Sequence, residues 1–389
     1  MSFAEWVVWL SLGAITYTYA GYPILLRALA RVRRPGSRPP ADLEDQQLPT
    51  VSLIIPVYNE AANIAAKLKN TRDLRYPDDK LELLFVSDGS TDGTVDFLTP
   101  RLDARTVLVT LPTRSGKAAA LNAALSRAGN EILVFTDAAI ALEPDALRKI
   151  VRWFVRPEVG CVSGEDYIAG TGGEALYGRY EMFIRRYESD LHSIAGASGC
   201  FYAQRRRLCA PFPPGMAPDF LSVLRTVEQG YRAAADPEAR GAMAAVRGSG
   251  PEFERKVRTL LRGMTALGAH KHLLNPVKYS SFALVLWSHK LMRWLVPAFM
   301  ILLLAATARL AQSSGIYLVI LLVQLAFYAL AVAGLSLSLK GLPGIASRIA
   351  SWFAVTNSAA VVAWIKYAGG VRQELWSPSA RPQPGAPAQ

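Results

Sequence analysis

The feature that most constrains this chain is where its charges are missing. Trp6 to Leu26 is 21 residues without a charge, long enough to cross a bilayer as a helix. Toward the other end, Trp294–Ala308, Ile316–Leu339 and Ile349–Ile365 are also uncharged. The last of these has 17 residues, among them Ser351, Thr356, Asn357 and Ser358. At helical rise it covers about 26 Å against a roughly 30 Å hydrocarbon core, so it suits either an untilted crossing or a re-entrant helix. Residues 45–275 hold no such run. The expected organisation is an N-terminal transmembrane helix with a basic flank (1–34), a cytosolic domain (45–275), an interfacial helix with C-terminal transmembrane helices (276–368), and a disordered tail (369–389).

The flanks set an orientation. Met1–Glu5 has no basic residue, which argues against a cleavable signal. Arg27, Arg31, Arg33, Arg34 and Arg38 follow the first run with no acid between them, which puts that side in the cytoplasm and the N-terminus outside. Arg309 suits snorkelling, and His289, Lys290 and Arg293 suit an interfacial helix over anionic lipid. Four crossings would leave the tail outside, whereas Lys366, Arg372 and Arg381 favour the inside. The tail after Trp376 is rich in Pro, Ala and Ser, which implies disorder.

Composition supports a membrane-tied globular chain. Hydrophobic residues make up 51% and charged residues 19%, which excludes disordered and collagen-like chains and a simple cytosolic enzyme. The net charge of +12 is accounted for by membrane flanks and an anionic substrate without nucleic acid. Cys161, Cys200 and Cys209 form neither a disulfide framework nor a zinc spacing, and are read as free thiols in a reducing cytosol.

The middle region alternates strand and helix patterns. VSLIIP (51–56), LELLFVSD (81–88), TVLVTL (106–111) and EILVFTD (131–137) read as strands. Helix patterns start near Asn63, over TDGTVDFL (91–98) and over KAAALNAALSRA (117–128). This rhythm implies an α/β domain with a mostly parallel sheet, whose ligands bind beyond the strands' carboxyl ends. Polar segments stand at those ends: Pro56–Glu60, Ser87–Ser90 and Thr136–Asp137. Ser115-Gly116-Lys117-Ala118 is not a P-loop, because Ala118 stands where Ser or Thr is needed and Leu111 where the first Gly should be. No GxGxxG follows the first strand.

In order along the chain, PVYNE (56–60), SDGSTDGT (87–94), RSGKAAALN (114–122), FTDAA (135–139), GASGCFYAQRR (196–206) and PDFLSVLRTVEQGYR (218–232) resemble the family 2 glycosyltransferases. WSHKLMRW (287–294) and the late Trp376 and Arg381 extend the resemblance over most of the chain. It is nearest to membrane-bound members that build exopolysaccharide, cellulose-like and chitin-like glycans. The resemblance implies a GT-A-type nucleotide-sugar-binding domain flanked by transmembrane helices, and inverting transfer from a nucleotide-diphosphate sugar. It places Pro56, Tyr58, Glu60, Asp88, Lys117 and Asp137 at the donor. Tyr58 would stack on the base, Glu60 would bond its edge, and Asp88 would hold base or ribose; carboxylates suit the ring NH of uracil. Lys117 would neutralise the diphosphate at a helix start. Asp137 would be the first Asp of the family's DxD element and hold Mg²⁺ or Mn²⁺.

For the acceptor, the resemblance makes Asp219 the general base, six residues before Arg225. Its alternative reading is an N-cap for a helix starting at Phe220. Gly199, Cys200, Phe201 and Arg258 would line the acceptor side, although Phe201 and Tyr202 equally suit core packing of a strand. Glu181 and Glu188, sharing a helix with Tyr177, Tyr180 and Tyr187, suit either an acceptor channel or a surface. Arg255, Lys256, Arg258 and Arg262 form a basic segment suited to diphosphate, to lipid phosphate or to an interfacial face. His270 and His272, two apart, do not share a helix face and read as no metal site.

Three departures from the family pattern matter. Ala139 replaces the second DxD acid, which weakens the metal site unless Glu165 or Asp166 helps. Pro218 replaces the Glu of the ED pair. In Arg255-Lys256-Val257-Arg258-Thr259, only Arg258 remains of the QxxRW element of processive synthases, favouring one or a few transfers over a long polymer. The expected function is transfer from a UDP-sugar to a polyprenyl-linked or polysaccharide acceptor at the bacterial inner membrane, alongside polysaccharide-assembly subunits. The alternative is a weakened homologue that only binds nucleotide-sugar or glycan.

Overall fold

The computed structural model describes residues 1–32, 38–168, 173–244, 249–336 and 341–375. Arg33, Arg34 and the tail from Trp376 onward, including Arg381, lie outside the described residues. The chain begins with α1 (Phe3–Thr16), a π-helical turn at Tyr17–Gly21, and α2 (Tyr22–Val32).

The α/β domain is built on strands that are apolar on both faces. In β1 (Val51–Val57), Leu53, Ile55 and Val57 enter one core and Ile54 enters the other, as the two-residue strand period requires. Such a strand belongs inside a helix-covered sheet. The first half of the domain runs α3 (Ile64–Arg72), β2 (Leu81–Ser87), α4 (Thr94–Leu98), β3 (Thr106–Thr110), α5 (Lys117–Arg127) and β4 (Ile132–Thr136). The second half runs β5 (Ala141–Leu142), α6 (Ala146–Val151), β6 (Val159–Ile168), α7 (Gly173–Leu191), β7 (Phe201–Arg205), α8 (Pro218–Glu228), β8 (Arg232–Met243) and α9 (Ser249–Ala269). The sheet order is β3-β2-β1-β4-β7-β6-β8-β5. Its β3-β2-β1-β4 half is parallel, as the strand–helix rhythm implies. Beyond β4 it is mixed: β7 is antiparallel to β4 and β6, while β8 is parallel to β6.

The chain then forms α10 (Pro276–Val285), α11 (Met292–Leu310), α12 (Gly315–Ser336) and α13 (Gly341–Ala368). Three helices among the described residues are long and apolar enough to cross a membrane: Pro276–Leu310, Gly315–Ser336 and Pro343–Ala368. The N-terminal helix is not among them. Its Thr16–Tyr22 stretch is rich in hydroxyls, and several bind inward: Tyr17 to Ser288 (2.7 Å) and Tyr22 to Glu188 (2.8 Å). Val8 of α1 still packs with Leu303, Ala306 and Leu310 of α11.

Two expectations need correction. His289 and Arg293 do not face lipid. His289 lies between Glu188 (Nδ1–Oε1, 2.6 Å) and Glu181 (Nε2–Oε2, 3.0 Å), and Arg293 pairs with Glu181 and donates to the Tyr177 hydroxyl (2.9 Å). Helix α7 brings these acids beneath the basic turn, and buried charges persist only when paired. Burial raises the Glu181 carboxyl, but Arg293 and His289 outweigh it and hold it well below the usual range. Second, residues 369–375 are not a disordered tail. Arg262 gathers the carbonyls of Gln373 (2.9 Å), Glu374 (2.7 Å) and Leu375 (3.2 Å), which pins this segment to α9.

Candidate active site

The carboxyl ends of β1, β2 and β4 open on one rim. Asn59 takes a left-handed φ of 51°, which Asn tolerates better than most residues. It then ties two loops together, accepting from the Thr91 N–H (2.8 Å) and donating its own N–H to Ser90 (3.1 Å). Gly89, at φ +67°, has no room for a Cβ, which would stand 2.7 Å from the Arg114 nitrogen. Two rim loops therefore touch through a glycine.

Asp88 is held by the loop before α5. It is fully buried, and its oxygens accept from the N–H groups of Ser115 (2.7 Å) and Gly116 (2.9 and 3.0 Å). It positions the loop that starts α5, because a buried carboxylate must be satisfied and backbone N–H groups do so here. Tyr58 carries the Arg114 guanidinium over its ring at 4.3 Å.

A cleft of about 310 Å³ brings together Glu60, Lys117, Asp137, Gly199, Cys200, Asp219 and Arg258. Lys117, the first residue of α5, donates to Asp137 (2.6 Å) and to the Gly199 carbonyl (3.4 Å). Burial disfavours its charge, yet Asp137 prevails and holds the ammonium above its usual value. Glu60 is buried and pushed up by burial, against a hydrogen bond from Asn63 (2.8 Å). Ala139 lines the same cleft, as does Asp166. Pro56 lies at a small void shared with Lys117, Asp137 and Asp219.

Asp219 sits in the first turn of α8, whose N-cap is Ala217 and whose first residue is Pro218. It is therefore not the cap. Burial pushes its carboxyl up, opposed by Lys117, Lys290 and Arg185. Arg258 and Arg262 stand one turn apart on α9 and line the cleft opposite; burial lowers Arg262 to about 10.

Phe201 does not join the cleft. It is fully buried in one sheet core, while Tyr202 enters the other and stacks on Phe135 at 4.6 Å. Both are core residues of β7, antiparallel to β4. His270 and His272 share Glu228, at 3.8 and 2.7 Å.

Sequence reasoning missed Lys67. It is 2% exposed and donates to Thr136 (3.1 Å) and to the Ile140 carbonyl (2.8 Å), beneath the Asp137 rim. Burial lowers its ammonium to about 7, opposed by Asp137, Cys200 and Glu60. The signal was present: Lys67 falls on the Ile64–Leu68–Thr71 buried stripe of α3.

Residues 52–210 match the glycosyl transferase family 2 domain. A solved mannosyltransferase from Pyrobaculum calidifontis, bound to GDP-Man and Mn²⁺, is 25% identical with a TM-score of 0.69, covering 93% of this chain and 99% of that one. The beta-monoglucosyldiacylglycerol synthase of Synechocystis is 29% identical over 211 residues, 50% of this chain and 41% of its own length. The poly-beta-1,6-N-acetyl-D-glucosamine synthase of Staphylococcus aureus is 28% identical over 129 residues, 33% of this chain and 31% of its own. The chain spans less than half the length of these curated relatives.

Proposed function

The chain carries a family 2 glycosyltransferase domain over residues 52–210, and on that premise we propose that it moves a sugar from a nucleotide-diphosphate donor to a lipid-linked or growing glycan acceptor. The observation that carries this reading is one cleft holding an anion-binding end, Lys117 at the start of α5, and a buried carboxylate, Asp219.

In this reading the Asp219 carboxylate takes the proton of the acceptor hydroxyl as that oxygen attacks the anomeric carbon. The carbon–oxygen bond to the diphosphate breaks on the opposite face, so the configuration inverts and the nucleoside diphosphate leaves with the electron pair. Lys117 and the backbone N–H groups of the α5 start face the developing phosphate charge. Arg258 and Arg262 add positive charge opposite.

Among the described residues, no cluster of three or more His, Cys, Asp or Glu is placed to hold an ion. Mg²⁺ and Mn²⁺ at diphosphates need only one or two carboxylates beside the substrate oxygens. Asp137, with Asp166 on the same cleft wall, meets that need despite Ala139. Such an ion, when bound, neutralises charge on the leaving diphosphate.

The missing QxxRW aromatic favours transfer of one or a few sugars, and the apolar helices favour work at a bacterial inner membrane with the domain in the cytoplasm, in envelope or exopolysaccharide synthesis. Ala139 and Pro218 favour a second reading, a weakened homologue that binds nucleotide-sugar or glycan for a partner.

One experiment separates the two. Detergent-purified chain is given UDP-, GDP- and dTDP-sugars with Mg²⁺ or Mn²⁺, and nucleotide release is followed with and without membrane lipid extract. Lipid-stimulated release from one donor supports the transferase. No release from any donor, with nucleotide still bound, favours the weakened homologue.

A further inference from the structure

A second chamber of about 290 Å³ lies behind Asp219. It shares Asp219 and Ala217 with the donor cleft. One side of it is the α/β domain, with Tyr177, Glu181 and Arg185 of α7 and Thr259 and Gly263 of α9; the other is Tyr19 before α2, Lys290 and Arg293 around the start of α11, and Trp352, Asn357 and Ala360 of α13.

The lining holds two carboxylates, Glu181 and Asp219, yet several of its donors have no partner. Arg293 is nine-tenths buried and bonds only through Nη1; its Nε and Nη2 have no acceptor. The Trp352 indole N–H is buried without one. No hydrogen bond or ion pair to a described residue engages the Lys290 ammonium, which lies 5.4 Å from the Phe220 ring centre. Glu181 already serves His289 and Arg293, and Asp219 is the base in the reading above.

Buried N–H groups without acceptors call for a ligand that only accepts. A sugar hydroxyl both gives and takes, whereas phosphate oxygens take from several donors at once, most strongly from cationic ones. The wall formed by Tyr19 and α13, where the Tyr19 and Phe353 rings stand 5.2 Å apart, faces the apolar helices.

We propose that this chamber seats the phosphate-bearing head of a lipid acceptor, held by Lys290, Arg293 and Trp352, with its chain leaving along the α13 wall toward the apolar helices. The placement beside Asp219 rests on the transferase reading; the binding itself does not.

The test is therefore a binding measurement without donor. Full-length chain in neutral detergent is titrated calorimetrically with farnesyl phosphate, farnesol and inorganic phosphate. Farnesyl phosphate should bind about tenfold or more tightly than either of the others. Lys290→Gln and Trp352→Phe should each weaken it by about tenfold, as loss of a hydrogen bond to a charged group implies, with nucleotide affinity unchanged as the check on folding. Equal affinity for farnesol, or full affinity in both folded variants, overturns the proposal. Inorganic phosphate binding as tightly as farnesyl phosphate overturns the lipid as its source. A chain that binds farnesyl phosphate yet releases nucleotide from no donor counts against the transferase reading alone.

Discussion

Replacing Asp219 with Asn separates what burial costs the fold from what the carboxylate does. The side chain caps no helix, since Ala217 holds that position, so the near-isosteric change loses no N-cap. A general base supplies about 10²–10⁴ in rate, and Asp219→Asn should lower lipid-stimulated nucleotide release by about that factor, with nucleotide affinity kept. Stability should move the other way. Burial raises the Asp219 pKa above that of a free carboxyl. A carboxyl with a raised folded pKa binds its proton more tightly when folded, so its ionisation penalises the fold at every pH above that value. At pH 7 the neutral Asn removes the penalty. A higher melting temperature for Asp219→Asn at pH 7 is therefore expected. The gain should be full above the folded pKa and be lost as pH falls through it toward the unfolded value. Calorimetric melting across pH 4–8, paired with the release assay, reads both effects. Turnover within tenfold of the parent, or a lower melting temperature at pH 7, refutes the assignment.

Three further outcomes follow from the geometry. Lys117→Met removes the cation at the start of α5 and leaves Asp137 without its 2.6 Å partner; nucleoside diphosphate affinity should fall about tenfold or more in titration calorimetry, with the corresponding nucleoside affected far less. Glu181→Gln strips the carboxylate from between His289 and Arg293; breaking a buried pair costs about 3–5 kcal/mol, and denaturant unfolding should show a loss of that size. Arg262→Met deletes three hydrogen bonds to 373–375; limited proteolysis should cut this segment faster, leaving the α/β domain intact.

The parallel half of the sheet was legible because its strands are β-branched runs that end in polar loops, and the core and the rim loops of the site follow from that pattern. Lys117, Asp137 and Asp219 meet in the cleft because each stands at a strand end or helix start, positions a linear pattern reveals. What periodicity could not show is which polar groups are already satisfied. Asp88 reads as an acid at a strand end, and only the fold shows that it also accepts from the Ser115 and Gly116 N–H groups and so positions the loop before α5. Phe201 reads as a sugar platform until antiparallel pairing with β4 turns it into the core. His289 and Arg293 read as lipid-facing because the acids that neutralise them are more than 100 residues away in sequence. Contacts of that span are tertiary, and local spacing carries no trace of them.

Helix α13 bears on where the chain beyond it lies. Length and apolarity suit this helix to a crossing, yet its later turns pack on the α/β domain. Trp352 stacks on Tyr177 of α7, Ala363 enters a core with Leu261 and Leu267 of α9, and the Tyr367 hydroxyl lies against Gly268. From Trp352 to Tyr367 the helix runs along α9, which carries Arg255, Lys256, Arg258 and Arg262. Its earlier turns pack on α12, where the Ser351 hydroxyl donates to the Ala331 carbonyl (2.7 Å). Residues 373–375 bind Arg262, and Gly116, at φ +95°, has no room for a Cβ because the Glu374 carbonyl would lie 2.8 Å from it. Residues 373–375 thus lie against the α/β domain, a few residues after Lys366 and Arg372. Helix α13, apolar enough for lipid, thereby lies between the apolar helix α12 and the chamber that Asp219 lines, so an apolar wall and a buried carboxylate face one cavity.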